Sequence, residues 1–391
     1  MADKKKKYVT DLPIGKLALM PLRGTEPMAL KISDYIRDWR REQVINNPNG
    51  VFQDDYVKDN YIIYPEIDRF GTGEAKGVIN GTIRGADLFL IVDVVNYSVT
   101  YKMYGTDTRM SPDDHYQDLK RVIAAANGKA KRVNVIMPFL YESRQHKRSK
   151  RESLDCALML KELESYGIAN LITVDAHDPR VMNAIPLSSF DTLNCHYQFV
   201  KSLLDTYNDI TVDKDHLVVI SPDVGGMTKA IQLANMLSVN IGFLYKRRDY
   251  SRVVDGTNPI VEHTYMGIEV EGKDCIIMDD MIASGESLID TAKKLKKMGA
   301  KRVMACITFG LFTKGLEMFD KAVEEKYIDK VFTTNTIYQM PELLKKPWYG
   351  SVDMTEYLAL VIESINHDSS ISQYLDPNEK IKKYLENYRN K

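Results

Sequence analysis

Two adjacent carboxylates, Asp279 and Asp280, follow an apolar run and precede a loop of small residues. The run 275–278 predicts a buried strand of a parallel sheet, and open α/β sheets bind their ligands at the carboxyl ends of such strands. Paired carboxylates at that position can accept hydrogen bonds from the vicinal hydroxyls of a sugar. The alternative interpretation is an aspartate pair that only ends a strand in a turn.

The loop after this acidic pair predicts a phosphate site. It contains Ser284, Gly285 and Ser287, and apolar residues recur at helical spacing after it. The first N–H groups of a helix have no partner inside the helix and lie at its positive end, so they can hold a phosphate dianion. An ordinary helix cap without a ligand is the alternative.

A basic segment follows another predicted strand. Five of the nine residues 144–152 are Lys or Arg. Guanidinium groups offer paired planar donors and ammonium groups a mobile charge, and the two together suit a polyphosphate. A solvated loop or a nucleic-acid patch would have the same composition, but the lack of interleaved aromatic residues disfavours single-stranded nucleic acid.

Three more strand ends carry polar residues. Asp175 and His177 are spaced to share one side of an extended segment, where they would coordinate a divalent cation or cap the strand. Residues 220–229 combine a strand, a glycine turn and a helix start, which can hold an anion but also forms without one. The cations at 246–248 repel one another unless water or an anionic partner, such as a phosphoryl group in transfer, separates them.

The elements that position these residues alternate between strands and helices. Strands are predicted at nine places: 17–22, 88–95, 133–140, 171–175, 217–220, 241–245, 275–278, 303–309 and 331–334. Helices are predicted at five: 116–126, 153–166, 226–237, 286–298 and 313–325. Such alternation predicts parallel sheets covered by helices on both faces. Nine strands exceed one small sheet, and Ala-Lys-Arg-Val recurs at 130 and 300, which favours a duplicated architecture.

The predicted domains are 1–192, 193–345 and a helical extension over 346–391. Residues 34–65 are expected to form a helix followed by a surface excursion. At 391 residues the chain is long enough for two or three domains with cores of their own.

Composition excludes several classes of partner. Charged residues make up 27% of the chain and the net charge is −1, which disfavours nucleic acid as the main ligand. No apolar stretch reaches the roughly 18 residues of a membrane span, and the N-terminus lacks a hydrophobic signal core, so we expect a soluble, cytoplasmic protein without a membrane partner. The four cysteines form no Cys-x-x-Cys pair and are expected to be reduced core residues.

Taken in chain order, these motifs resemble the ribose-phosphate pyrophosphokinases, also called PRPP synthetases, over roughly residues 14–340. The similar segments are 69–74, 82–87, 141–152, 175–177, 221–226, 246–248 and 278–281. The acidic pair alone would also fit ordinary phosphoribosyltransferases, whereas its combination with 221–226 and 246–248 is more specific. The resemblance implies an α/β protein with two tandem phosphoribosyltransferase-type, Rossmann-like domains and mainly parallel sheets.

The resemblance also implies a reaction, in which pyrophosphate passes from Mg-ATP to ribose 5-phosphate and yields PRPP and AMP for nucleotide biosynthesis. It assigns catalysis to Lys246 and Arg248. It assigns ribose 5-phosphate binding to Asp223, Asp279, Asp280, Ser284, Gly285 and Ser287. It assigns ATP binding to Phe70, Glu74, Arg144, Gln145 and His177, the first two supplied by a neighbouring subunit. It assigns Mg²⁺ to Asp175, His177 and Asp223.

The implied partners are ATP and ribose 5-phosphate, with inorganic phosphate as an activator and a homo-oligomer based on dimers and extending to a hexamer. Two other functions stay open. A non-catalytic regulatory subunit would not need the cationic cluster, and a phosphoribosyltransferase acting on a base would not need the ATP-site loop 141–152.

The chain departs from the family pattern at several positions. Ala283 replaces an acidic residue, and Glu286 replaces a glycine. The Glu286 carboxylate is expected to point outward from the first helical turn or inward toward the phosphate site. His146 occupies a position that is normally acidic, and 178–180 replaces an alanine and a glutamine, changes that would alter nucleotide choice.

Overall fold

The computed structural model describes residues 12–126, 128–248 and 260–390, without the side chains of 246–248 and 260–263. The chain forms two compact units. The first comprises the described residues up to Asn194 together with Thr336–Tyr338 and Asp353–Asp376. The second comprises Cys195–Asn335, Gln339–Val352 and the described residues from Pro377 onward.

The first unit is built around a parallel sheet. Its elements up to Asn194 are β1 (Lys16–Pro21), α1 (Glu26–Asn46), β2 (Pro65–Arg69), β3 (Ala75–Ile79), β4 (Ala86–Ile91), β5 (Thr100–Met103), β6 (Thr106–Arg109), α2 (Pro112–Ala126), β7 (Arg132–Ile136), α3 (Asp155–Ser165), β8 (Asn170–Val174), a 3₁₀ helix (Pro179–Ala184) and β9 (Ser189–Leu193). Five strands pair in the order β1-β4-β7-β8-β9 and all run parallel. Every residue of β4 is buried, as expected for a central strand covered on both faces. The pairs β2–β3 and β5–β6 are separate antiparallel hairpins.

The second unit repeats this arrangement with a larger sheet. Its elements are α4 (His196–Thr206), β10 (Leu217–Ser221), α5 (Met227–Leu237), β11 (Asn240–Arg248), β12 (Ile260–Gly267), β13 (Asp274–Ile282), α6 (Glu286–Lys297), β14 (Arg302–Gly310), α7 (Glu317–Glu324), β15 (Lys330–Thr334), α8 (Pro341–Leu344) and β16 (Tyr349–Val352). Seven strands pair in the order β12-β11-β10-β13-β14-β15-β16. All pairs are parallel except β11–β12, and β13 lies near the middle of the sheet.

The C-terminal segment differs from the predicted helical extension over 346–391. It begins with β16, which extends the sheet of the second unit because β15 offers it a parallel partner. The following helices are α9 (Thr355–Asn366), α10 (Ser372–Leu375) and α11 (Asn378–Arg389). The first two belong to the first unit and α11 to the second, so the segment is no separate domain.

The predicted α/β class with mainly parallel sheets is confirmed. All nine predicted strands are found as strands, and the five predicted helices as helices. The predicted helix in 34–65 starts earlier, at Glu26, and ends at Asn46. The four cysteines are buried, and none of them forms a disulfide bond.

Candidate active site

The acidic pair lies inside β13 rather than beyond its end, which corrects the predicted strand 275–278. β13 continues to Ile282 because β14 runs beside it as far as Gly310. On its other side, the pairing with β10 stops at Ile277. Asp279 and Asp280 therefore lie beyond the last residue of β13 that pairs with β10. On that side of β13, the loop after β10 can approach the two carboxylates.

The two carboxylates have different surroundings. The Asp280 backbone N–H donates to Asp279 Oδ1 at 2.9 Å. Desolvation raises the pKa of Asp279 well above its ordinary value, and repulsion from Asp280 and then Asp223 raises it further. Asp280 is 6% exposed, and Lys229 Nζ on α5 lies 3.7 Å from its Oδ2. Asp279 thus lies desolvated among like charges, and a sugar hydroxyl that donates a hydrogen bond to it would favour its charged form.

The loop between β10 and α5 brings a third carboxylate to this pair. Ser221 Oγ donates to the Asp223 carbonyl oxygen at 2.6 Å, and the Gly226 N–H donates to Asp223 Oδ1 at 2.9 Å. A Cβ atom at Gly226 would lie 3.1 Å from Ser221 Oγ and 3.3 Å from Asp279 Oδ1. Glycine at 226 therefore lets the loop pack closely against the acidic pair.

The predicted phosphate loop connects β13 to α6. Gly285 has φ +96°, a left-handed conformation, and a Cβ atom there would meet the ring of Phe319. Any other residue at 285 would pay both a conformational and a steric penalty. Ser287 lies in the first turn of α6, where helix N–H groups lack intrahelical acceptors. This geometry suits an anion.

The Glu286 side chain extends into solvent at the start of α6. Its carboxylate pairs with Lys314 Nζ at 2.7 Å, and both side chains are more than half exposed. The ammonium of Lys314 holds the pKa of Glu286 below its ordinary value. Ser284 Oγ donates to Glu286 Oε2 at 3.3 Å, a long bond that a phosphate oxygen can replace. Of the two expected orientations, the outward one is found.

In the first unit, the basic loop comprises residues 141–152, and its first residue is anchored by side-chain contacts. Tyr141 stacks on Tyr116 with ring centroids 4.6 Å apart and donates to Asp113 Oδ1 at 2.6 Å. Arg144 and Gln145 follow, and both are exposed. The predicted ATP-contacting residues therefore extend into solvent from an ordered base.

Asp175 and His177 directly follow β8. Asp175 has φ +45° and donates its N–H to the Leu193 carbonyl at 2.7 Å, which places a tight bend after the strand. His177 is exposed, and its ring centroid lies 5.2 Å from that of His146 in the basic loop. The structure thus brings the basic loop to the segment after β8.

Phe70 and Glu74 lie at the turn between β2 and β3. The Phe70 N–H donates to the Glu74 carbonyl at 2.7 Å, and Thr72 Oγ1 donates to Glu74 Oε2 at 2.9 Å. The Phe70 ring is 54% exposed. The ring at this hairpin turn is therefore accessible to another molecule.

The backbone of Lys246 and Arg248 belongs to β11, but both side chains lie outside the described part of the structure. Their catalytic assignment stays a prediction. Among the described residues, no group of three or more His, Cys, Asp or Glu side chains is arranged to hold a metal ion. The assignment of Mg²⁺ to Asp175, His177 and Asp223 stays a prediction.

Sequence reasoning assigned no role to Lys229. This lysine closes the motif 220–229 and lies in the first turn of α5, with its ammonium beside Asp280. The available signal in the sequence was a single cation eight residues after the end of β10. That strand is the neighbour of β13, which carries the acidic pair.

Comparison with known proteins places both units in one family. Residues 18–167 match the N-terminal domain of ribose phosphate pyrophosphokinase, and residues 197–344 match the phosphoribosyl transferase domain. The ribose-phosphate pyrophosphokinase of Thermotoga maritima is 31% identical over 285 residues, which is 72% of this chain and 81% of that protein. The ribose-phosphate pyrophosphokinase of Shewanella oneidensis is 30% identical over 78% of this chain and 89% of that protein.

A solved structure shares the fold. The phosphoribosylpyrophosphate synthetase from Mycobacterium smegmatis superposes with a TM-score of 0.68 at 21% identity, covering 90% of this chain and all of that one. Every helix in the described ranges is too short or too polar to cross a bilayer. The two domain matches and the identity to the Thermotoga maritima protein show that the chain belongs to the ribose-phosphate pyrophosphokinase family, and it is an enzyme of the transferase class.

Proposed function

We propose that the chain transfers the β,γ-diphosphate of Mg-ATP to the anomeric hydroxyl of ribose 5-phosphate. The hydroxyl oxygen attacks the β-phosphorus and loses its proton. The bond between the β-phosphorus and the oxygen that bridges to the α-phosphorus breaks, and AMP leaves with that oxygen. The products are PRPP and AMP.

The observation that carries the proposal is the acidic pair on β13, followed by a glycine-led helix start, in a chain of this family. Asp279 and Asp280 accept the ribose hydroxyls, and such donors favour the charged form of the desolvated Asp279. Ser284, Gly285 and Ser287 hold the 5-phosphate at the start of α6. Asp223 lies beside the pair and helps to orient the sugar.

The nucleotide is assigned to the first unit. Arg144 and Gln145 are exposed on an ordered loop and contact ATP, and His177 lies beside that loop. Diphosphoryl transfer leaves the protein little covalent chemistry, so positioning and charge must supply the rate enhancement. Lys246 and Arg248 are proposed to supply that charge.

Magnesium enters as part of the substrate Mg-ATP. Mg²⁺ keeps several waters and takes one or two protein carboxylates in addition to substrate phosphates. The possible metal ligands in this chain fit that coordination preference, since Asp175 and Asp223 offer carboxylate oxygens. Among the described residues, no cluster of three or more His, Cys, Asp or Glu side chains is arranged to hold a metal ion. Asp175, Asp223 and His177 would hold the ion, which balances phosphate charge when bound.

We further propose a homo-oligomer based on dimers, in which Phe70 and Glu74 of one subunit complete the ATP site of its neighbour. The exposed Phe70 ring on an ordered hairpin supports this assignment. Inorganic phosphate is proposed as an activator. Sedimentation tests the oligomer, and the rate of PRPP formation with and without inorganic phosphate tests the activation.

The reaction is tested by incubating the purified protein with Mg-ATP, ribose 5-phosphate and phosphate. AMP and PRPP should appear in equal amounts, and AMP only when the sugar is present. Asp280→Asn should lower kcat/KM for ribose 5-phosphate by roughly 100-fold, because a sugar hydroxyl loses a charged acceptor. Asp290→Asn, an exposed aspartate on α6, is the matched control and should behave as wild type. Sugar-independent nucleotide hydrolysis, or turnover that requires a free base, would contradict the proposal.

A further inference from the structure

One residue of the basic loop differs from its neighbours in burial. Between 144 and 151, every residue is exposed except His146, whose side chain is only 12% exposed. Its Nε2 lies 3.6 Å from Asp178 Oδ2, and its ring meets the ring of His177 edge to face. His146 is therefore the one residue of 144–151 through which this cationic segment packs against the rest of the first unit.

Asp178 is a rigid partner for this histidine. Its Oδ1 accepts the Arg180 N–H at 3.0 Å and so caps the 3₁₀ helix that begins at Pro179. The Arg180 guanidinium also binds the carboxylate, with Nη2 2.6 Å from Oδ2. The Asp178 side chain is as little exposed as that of His146. A carboxylate held by three donors has little freedom, so the histidine that meets it is fixed in turn.

The loop side of the contact carries the proposed ATP-binding residues. Arg144 and Gln145 immediately precede His146, and consecutive Cα atoms are about 3.8 Å apart. The Gln145 N–H donates to the Glu142 carbonyl at 2.8 Å, which closes a turn just before His146. Fixing the His146 ring therefore restricts the backbone positions of Arg144 and Gln145, and with them the space that their side chains can reach.

We propose that His146 and Asp178 form a positioning pair that sets the basic loop for Mg-ATP and thereby determines nucleotide affinity. The proposal rests on the proposed function, because it assigns ATP to that loop. Neither residue is a catalytic residue: they act through Arg144 and Gln145. The pair affects the nucleotide site and leaves ribose 5-phosphate binding unchanged.

The variants follow from the geometry. His146→Gln places an amide nitrogen near the position of Nε2 and keeps the contact with Asp178, whereas His146→Asn reaches only to the position of Nδ1 and loses it. Asp178→Asn keeps an oxygen to cap the 3₁₀ helix but removes the charge. His216→Asn is the matched control, because His216 forms an exposed pair with Asp213 at 2.8 Å in the second unit.

The first measurement is the Kd of Mg-ATP by calorimetry without sugar, and the second is KM for each substrate. His146→Asn and Asp178→Asn should each weaken Mg-ATP binding about tenfold, and the double variant should be no weaker than either single one. His146→Gln should stay within about threefold of wild type. KM for ribose 5-phosphate should not change, and His216→Asn should match wild type throughout.

The outcomes separate the two proposals. Wild-type protein that binds Mg-ATP but forms no PRPP contradicts the proposed function, while the Kd series still tests the pair. Active wild-type protein with an unchanged Kd in His146→Asn overturns the pair. Additive losses in the double variant, or equal changes in both KM values, also overturn it, since they indicate a general loss of structure.

Discussion

At the scale of single residues, the acidic pair depends on a few neighbours for its charge balance. Lys229 is the cation that the structure places beside Asp280, and both side chains are mostly buried. Removing one partner of such a pair leaves an uncompensated buried charge. The sequence predicted the two carboxylates as a site but not this lysine, because the contact depends on how α5 packs beside β13.

Lys229→Met should therefore destabilise the protein by roughly 1–3 kcal/mol in urea unfolding at neutral pH. It should also raise KM for ribose 5-phosphate, because Asp280 would lose the cation that lies beside it. Lys161→Met, at an exposed position on α3, is the control. Equal stability of both variants would show that Lys229 and Asp280 are not paired in solution.

Asp93 is a buried acid that gives stability a dependence on pH. It is 3% exposed and accepts the Tyr338 N–H at 2.6 Å and the Val95 N–H at 3.1 Å. Burial raises its pKa from 3.8 to about 7. The folded state thus binds this proton more tightly than the unfolded chain. The contribution to stability is full below pH 3.8 and falls as the pH rises to about 7.

The free energy of unfolding should consequently fall by roughly 2–3 kcal/mol from this group alone between about pH 5 and 8. Asp93→Asn should remove that part of the slope, even though the amide loses one acceptor and lowers stability at every pH. Asp54→Asn, which is exposed, should keep the wild-type slope. The measurement is urea unfolding at several pH values, and parallel curves for wild type and Asp93→Asn would refute the assignment.

At the scale of elements, periodicity predicted the buried strands well and the exposed ones poorly. All nine predicted strands have apolar runs that lie within the two sheets. The hairpins β2–β3 and β5–β6 were missed, because their exposed and half-buried residues have no continuous apolar face. β16 was missed for a related reason, since only four residues pair at the sheet edge.

The end of β13 is a second feature that the sequence predicted incorrectly. The apolar run ends at Met278, and the sequence therefore predicted that the strand ends there. Pairing with β14 carries it on through two carboxylates to Ile282. Backbone hydrogen bonds to a neighbouring strand depend on that neighbour's length, which local composition does not reveal.

A substitution at Gly285 tests how closely the loop between β13 and α6 is packed. Gly285→Ala would combine a left-handed backbone with a clash against Phe319. Gly272→Ala is a matched control, since Gly272 also has a positive φ, of +70°, but faces open space. Gly272→Ala should cost about 1 kcal/mol, and Gly285→Ala at least about 2 kcal/mol more. Chemical unfolding measures both, and similar losses in the two variants would contradict the close packing of the loop.

At the scale of the whole chain, the first unit is completed by a segment that lies far from it in sequence. Arg40 on α1 is 1% exposed, and its guanidinium binds Glu363 on α9 with Nη2 2.7 Å from Oε2. It also donates to the Tyr56 carbonyl at 3.1 Å and to Asn366 Oδ1 at 2.7 Å. The excursion after α1 and the returning helix thus share one buried network. The sequence showed neither chemistry nor periodicity that linked them.

Glu363→Ala should destabilise the protein by about 3–5 kcal/mol, because it leaves the Arg40 charge buried without its partner. The double variant Arg40→Met with Glu363→Leu should lose less than this single one, since two apolar side chains of similar volume need no charge compensation. Thermal and urea unfolding measure the difference. A double variant that loses the sum of both single losses would show that the two residues act independently.

The proposed reaction is the claim on which the site assignments depend, and isotopic labelling tests it most directly. The protein is incubated with ribose 5-phosphate and ATP labelled with ³²P at the α, β or γ position in separate reactions. We expect β and γ label both to enter the sugar product and α label to stay in AMP. Label from the γ position alone in the sugar, with ADP as the other product, would contradict diphosphoryl transfer.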